Sequence, residues 1–223
     1  MSEIKAVLFD LDGTLLDSAP DLVGSLNWIR ETENLPPVEV SRLAPFVSKG
    51  AVGLLNAGMP ATDEVTFEEW RLKFLAHYAR NSFEHSRLYD GVPELLEYLE
   101  LKYIPWGVVT NKTESLTLPI IEAANLAEKI SCVVCGDTLK ESKPHPAPVS
   151  LACRMIEVAP QDTVFVGDDI RDIQAGVAAG TQTAAVYYGY GSSELTGELV
   201  DASIQLFHPT DLLELLSLNR PGD

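Results

Sequence analysis

Short apolar runs alternate with amphipathic stretches along most of the chain. The runs IKAVLFD (4–10), WGVVTN (106–111), ISCVVCG (130–136), TVFVGDD (163–169) and TQTAAVYY (181–188) are brief and rich in Val and Ile, so they read as strands. Between them, VPELLEYLELK (92–102), ESLTLPIIEAANL (114–126), APVSLACRMIEV (147–158) and IRDIQAGVAAG (170–180) carry helical spacing, and PTDLLELLSL (209–218) reads as a closing helix. Strands that are apolar throughout and separated by helices predict an α/β fold, a Rossmann-like parallel sheet flanked by helices.

One region departs from the alternation. From about Ser18 to Arg87 there is no strand candidate, only the helical stretches APDLVGSLNWIRETE, SKGAVGLLNAG and TFEEWRLKFLAHYARN, punctuated by Pro36, Pro37 and Pro60. Helical material of that length between the first and second strands predicts an inserted all-helical cap. The expected division is an α/β core of residues 1–17 and 88–223 with a cap of residues 18–87. Hinges are expected near Asp17–Ser18 and around Leu88–Gly91.

Charge narrows the partners. The formal net charge is −17, with 33 acidic against 16 basic residues, which argues against nucleic acid and anionic membranes. An anionic small molecule would need a local positive site. The start of the chain runs directly into the first strand without a signal-peptide pattern, and no stretch is long enough to span a bilayer, so a cytoplasmic protein is expected. Cys132, Cys135 and Cys153 make an odd count and are expected to be reduced. Cys132 and Cys135 have redox or zinc spacing, but residues three apart on a strand face opposite sides of the sheet, and core packing is the expectation. Monomer and homodimer both remain open.

The chemistry gathers at the strand ends. In open parallel sheets ligands bind beyond the carboxyl ends of the strands. The first strand ends in Asp10-Leu11-Asp12-Gly13-Thr14, the second in Thr110-Asn111-Lys112, and the fourth in Gly167-Asp168-Asp169 with Asp172 just after. Lys143 lies in the loop after the third strand. Asp10, Asp12, Asp168 and Asp169 would crowd together, so either some are protonated or a divalent cation neutralises them. Oxygen ligands without His or Cys favour Mg²⁺. Lys143 and the Thr110 hydroxyl suit phosphoryl oxygens. Asp10 suits a nucleophile that forms an aspartyl-phosphate, and Asp12 is near enough to move protons. Gly13 permits a sharp turn and close approach to substrate, and Thr14 offers a hydroxyl or its amide to the phosphoryl group.

These residues resemble the haloacid dehalogenase superfamily, in its phosphatase branch. DLDGTLLDS, VVTNK, the lysine of KPHPAP and VGDDIRDI look like its four motifs, and the helical insert resembles the cap of the subgroup containing phosphoglycolate phosphatases. The resemblance implies Asp10 as nucleophile, Asp12 as general acid/base, and Mg²⁺ held by the Asp10 carboxylate, the Asp12 carbonyl and Asp168. It further implies that Thr110 and Asn111 bind the phosphoryl group, that Lys143 stabilises phosphate and nucleophile, and that Asp169 and Asp172 lie near the metal. The implied activity is Mg²⁺-dependent hydrolysis of a small phosphorylated metabolite, phosphoglycolate phosphatase-like, with two alternatives. CGDTL, KPHPAP, GDDIRDI, AAG and YGY are also similar to N-acetylmuramic acid 6-phosphate phosphatases, and Asp169 stands where phosphoglycolate phosphatases often carry serine. A sugar phosphomutase would share the same chemistry. Lys49, in VSKGAVGLL, is expected either to face the site from the cap and shape specificity or to be a solvated lysine at a helix start. The YYGYG stretch (187–191) is expected to end the last strand, His145 to shape its loop, and His77 to be partly buried or on the surface.

Overall fold

The structure, a computed structural model, describes residues 3–218. The chain opens with β1 (Ala6–Phe9), turns into β2 (Leu16–Asp17), and enters α1 (Ala19–Thr32), α2 (Val40–Leu43), α3 (Gly50–Gly58) and α4 (Glu64–Asn81). It returns through β3 (Arg87–Leu88) to α5 (Val92–Leu101), β4 (Trp106–Val109), α6 (Glu114–Ala123), β5 (Cys132–Val134) and α7 (Ala147–Met155). Then follow β6 (Thr163–Gly167), α8 (Ile170–Ala179), β7 (Gln182–Val186), α9 (Glu198–Asp201), β8 (Ile204–Leu206) and α10 (Asp211–Leu218).

Six strands form a parallel sheet in the order β5-β4-β1-β6-β7-β8. Every residue of β1, β4 and β6 is buried, which is why these strands read as unbroken apolar runs. The order reverses beside β1: the chain leaves β1 toward β4 and β5, then leaves β6 toward β7 and β8. That reversal opens a crevice beyond the carboxyl ends of β1 and β6. Backbone pairing continues past the strands. The Asp10 N–H donates to the Val166 carbonyl at 2.9 Å and the Thr110 N–H to the Val134 carbonyl at 2.9 Å. Both residues are thereby fixed at the crevice.

The helices between β2 and β3 form a layer of their own. On α4, Trp70, Phe74 and Tyr78 recur every fourth residue and are all buried, as are Leu22, Leu26 and Ile29 on α1. These side chains belong to the same apolar cluster as Val7, Phe9 and Trp106 of the sheet. Truncating Phe74 to alanine would cost about 3–5 kcal/mol. Cys132, Cys135 and Cys153 are free and buried, and Cys132 and Cys153 pack together in a smaller cluster with Val149 and Phe165.

All five expected strands are present, and three features go beyond the pattern. β8 adds a sixth strand, too short and too mixed in exposure to show alternation. Arg87, expected inside the wholly helical stretch, is in β3 and pairs with Asp17, while Leu88 pairs with Leu16. This two-stranded ribbon ties together the points where the chain enters and leaves the helical layer. The stretch before Gly50 forms α2 and a 3-10 helix, Ala44–Lys49. Segments so brief have no periodicity of their own and depend on burying Leu43 and Val47.

Candidate active site

Just beyond Asp10 the chain folds back on itself. The Leu11 carbonyl accepts the N–H groups of Leu15 and Leu16 at 3.1 and 2.9 Å. Gly13 has φ +86°, and a Cβ on it would lie 2.3 Å from Asp168 Oδ2. Conformation and space both demand glycine there.

Lys143 is the hub of the crevice. Its Nζ lies 2.8 Å from Asp10 Oδ1, 2.7 Å from Asp172 Oδ1 and 2.8 Å from the Val109 carbonyl, with 3% of the side chain exposed. Burial alone would lower its pKa, but Asp10 and Asp172 outweigh burial and hold it raised. Asn111 positions this loop: its amide donates to the Lys143 carbonyl at 2.9 Å and accepts the Lys143 N–H at 3.0 Å. Asn111, expected with Thr110 on the phosphoryl group, lines the cavity while its side chain holds the Lys143 loop. Thr110 lines the cavity, and its hydroxyl accepts the Lys112 N–H at 3.2 Å.

Three carboxylates meet beside Lys143. Asp10, Asp168 and Asp172 each bring an oxygen within 4.8 Å of the others. Asp168 accepts the Gly191 N–H at 2.9 Å and the Thr14 hydroxyl at 3.3 Å. Burial, then the charges of Asp10 and Asp172, hold its pKa well above the usual carboxylate range. Asp172 is pushed up to about 7, by burial first. Its second oxygen accepts the Asp169 N–H at 3.1 Å, completing a capping box at the start of α8.

Two further sequence-selected carboxylates, Asp12 and Asp169, line the same cavity but stand outside the three-carboxylate group. Asp169, expected with the crowded group, is the N-cap of α8 and pairs with Arg171 at 2.8 Å. Burial would raise its pKa, but Arg171 more than offsets that and the net shift is downward. The Asp12 carboxylate pairs with Lys112 at 2.8 Å. Capping geometry and this lysine decided both positions.

Above the carboxylates lies a cavity of about 660 Å³. Lys49, Phe74 and Tyr78 reach it from the helical layer, as do Lys112, Lys143 and Arg171 from the sheet side. Lys49 Nζ also lies 2.7 Å from Glu194, and Arg171 Nη2 lies 2.6 Å from the Ser48 carbonyl. These cations supply the local positive site that the acidic chain requires for an anionic ligand.

Sequence reasoning gave no role to Lys112, Tyr78, Arg171 or the tyrosine loop. Lys112 and Arg171 had a signal, since both lie inside the motif stretches VVTNK and VGDDIRDI. Tyr78 had none, because it continues the apolar stripe of α4. The YYGYG stretch does follow β7, but it also wraps the site. A Cβ on Gly189 would lie 2.2 Å from the Gly13 carbonyl. The Tyr188 hydroxyl donates to the Thr14 carbonyl at 3.1 Å, and the Tyr190 hydroxyl bonds Asp17 and accepts the Ala19 N–H at 2.9 Å. His145 Nδ1 accepts the Ala147 N–H at 3.2 Å and so shapes its loop, while His77 stacks on Trp28 at 4.7 Å.

Donor chemistry at Asp10, Asp168 and Asp172 fits a hard divalent cation: all oxygen, tightly grouped and mutually repelling. Residues 7–186 match the family model for haloacid dehalogenase-like hydrolases. The chain is 42% identical over 214 residues to an N-acetylmuramic acid 6-phosphate phosphatase of Pseudomonas aeruginosa, covering 96% of this chain and 95% of that one. It is 39% identical over 190 residues to a phosphoglycolate phosphatase of Xylella fastidiosa, covering 85% and 83%. A crystal structure described as a predicted phosphoglycolate phosphatase from Haemophilus somnus superposes with a TM-score of 0.82 at 31% identity, covering 96% of this chain and 99% of that one. No helix among the described residues is long and apolar enough to cross a membrane. On its strand-end residues, its sheet and these relatives together, the chain belongs to the haloacid dehalogenase-like hydrolase family.

Proposed function

We propose that the protein is a Mg²⁺-dependent phosphomonoesterase that acts through an aspartyl-phosphate on Asp10. The observation that carries this reading is the cluster of partly exposed Asp10 with buried Asp168, Asp172 and Lys143 at the floor of a large cavity. Asp10 attacks phosphorus while Lys143 holds its carboxylate and faces the phosphoryl charge. Thr110 bonds a phosphoryl oxygen. The leaving alkoxide takes a proton from Asp12. Water then attacks the phosphorus, returns a proton to Asp12, and releases phosphate with Asp10 restored. Asp10, Asp168 and the Asp12 carbonyl would hold Mg²⁺, with Asp172 alongside, and the ion would supply positive charge against the phosphoryl oxygens.

The division into a core of 1–17 and 88–223 and a cap of 18–87 belongs to the same reading, and the β2–β3 ribbon at both crossings supports it. Three free thiols support a reducing, cytoplasmic setting.

For substrate, we favour a sugar phosphate that also bears a carboxylate, such as N-acetylmuramic acid 6-phosphate. A cavity of about 660 Å³ is far larger than a two-carbon acid needs. Lys49 and Arg71 on its cap side, in exposed pairs with Glu194 and Glu68, would exchange those partners for a second anionic group. The nearly full-length 42% relative bears that substrate in its name. Phosphoglycolate is the second reading, on the strength of the 39% relative. The test compares kcat/KM for N-acetylmuramic acid 6-phosphate, N-acetylglucosamine 6-phosphate and 2-phosphoglycolate, with and without excess chelator. Preference for phosphoglycolate would reverse the substrate reading. Full turnover in chelator would remove the metal. A failure to release one free phosphate per ester would point to a phosphomutase.

A further inference from the structure

Lys112 has an unusual set of partners. Its side chain leaves the end of β4 and is 8% exposed. Nζ donates to Asp12 Oδ1 at 2.8 Å and to the Tyr78 hydroxyl at 2.8 Å, and stands 4.8 Å from the centre of the Tyr78 ring. One partner belongs to the sheet and the other to α4. Tyr78 is itself 1% exposed, locked in the buried stripe it shares with Trp70 and Phe74. Its hydroxyl therefore arrives at a fixed point whenever α4 is seated.

We infer that Lys112 and Tyr78 are positioning residues that orient Asp12 for proton transfer. This rests on the reading of Asp12 as general acid/base. A lysine ammonium on a flexible four-carbon stem is held in one place only by its partners. With the phenol on one side and the carboxylate on the other, Lys112 anchors Oδ1 of Asp12 and fixes the rotation of that side chain. Oδ2 is then the oxygen that exchanges protons with the leaving group and with water. Lys143 offers the contrast. Its partners Asp10, Asp172 and the Val109 carbonyl all come from the sheet side. The nucleophile is preset by the core alone, whereas the acid/base is preset only through a residue of α4.

The experiment compares two esters. A sugar phosphate releases an alkoxide that needs a proton, whereas p-nitrophenyl phosphate releases a stable phenolate that does not. The value of kcat/KM reports the step in which that group departs. Tyr78→Phe keeps the ring and removes only the hydroxyl, and Lys112→Met removes the bridge. In both variants kcat/KM for the sugar phosphate should fall about tenfold or more beyond any fall for the aryl ester. Parallel losses on the two esters, or no loss in Tyr78→Phe, would overturn the inference. Asp12→Asn is the control. If it loses the sugar phosphate reaction while Tyr78→Phe keeps it, the positioning role fails and the Asp12 reading stands. If Asp12→Asn retains that reaction, the Asp12 reading itself fails.

Discussion

The sheet side and the helical side of the cavity hold their charges by different means. At the sheet edge, Lys143 and Asp172 expose 3% and 1% of their side chains, and Lys143 bonds three partners. On the helical side, Lys49 exposes 47% of its side chain, and its partner Glu194, from the segment after β7, exposes 49%. Arg71 and Glu68 are 33% and 50% exposed. A desolvated, many-partnered charge cannot move without a large cost, whereas an exposed pair contributes little and exchanges readily with water. The rigid half therefore suits bond-making, and the exposed half suits selection among substrates.

The largest test of this contrast is Asp10→Asn, which should lower kcat by about a thousandfold or more. Urea unfolding should show no loss of stability, because the change removes one of three crowded carboxylates. Next is Lys143→Met. It leaves Asp172 buried without its cation and should cost about 3–5 kcal/mol in urea unfolding. Adding Asp172→Asn should recover part of that loss. If Lys143→Met unfolds like wild type, the sheet-side network is not the rigid half.

Acidity gives a smaller effect with a defined sign. Burial, with neighbouring charge, holds the Asp168 carboxyl well above its ordinary range and Asp172 at about 7. The metal-free folded chain thus binds more protons than the unfolded chain between the ordinary carboxylate pKa and about pH 7. This contribution to stability is present in full below that window and is lost as pH rises through it. On the proposed Mg²⁺ site the ion must displace those protons, so the rise in Tm on adding Mg²⁺ should grow from pH 5.5 to pH 8. A Mg²⁺ effect that shrinks with pH would contradict this.

Glu194→Gln should have the smallest effect. It frees Lys49, changes unfolding free energy by no more than about 1 kcal/mol, and should alter KM for the sugar phosphate more than kcat. A stability loss matching that of Lys143→Met would erase the distinction between the two halves.

Legibility in the sequence follows the same division. Asp10, Thr110 and Asp168 were readable because each ends an apolar run, and Lys143 because it lies in the loop after one; parallel strands deliver their ends to one edge. Asp172 was readable as a neighbour of the site, but its central place comes from the turn into α8, which aims one oxygen at Lys143 and the other at the Asp169 N–H. Asp169 went the other way for the same reason. A residue at the N-cap turns its carboxylate to the helix start, where Arg171 also waits. β8 escaped because three residues show no period, and Tyr78 because a core tyrosine and a positioning tyrosine look alike in an apolar stripe.

By itself the sequence determined the alternation of strands and helices, the helical insert, and which side chains stand at the sheet's carboxyl edge. Those depend on local periodicity and on the two-faced burial of parallel strands, which every residue along the run records. Only the tertiary structure decided which oxygen meets which cation, and which residues of the helical layer reach the site. Partners such as Lys112 and Tyr78, or Arg171 and the Ser48 carbonyl, are far apart along the chain, and their meeting depends on how one layer seats upon the other.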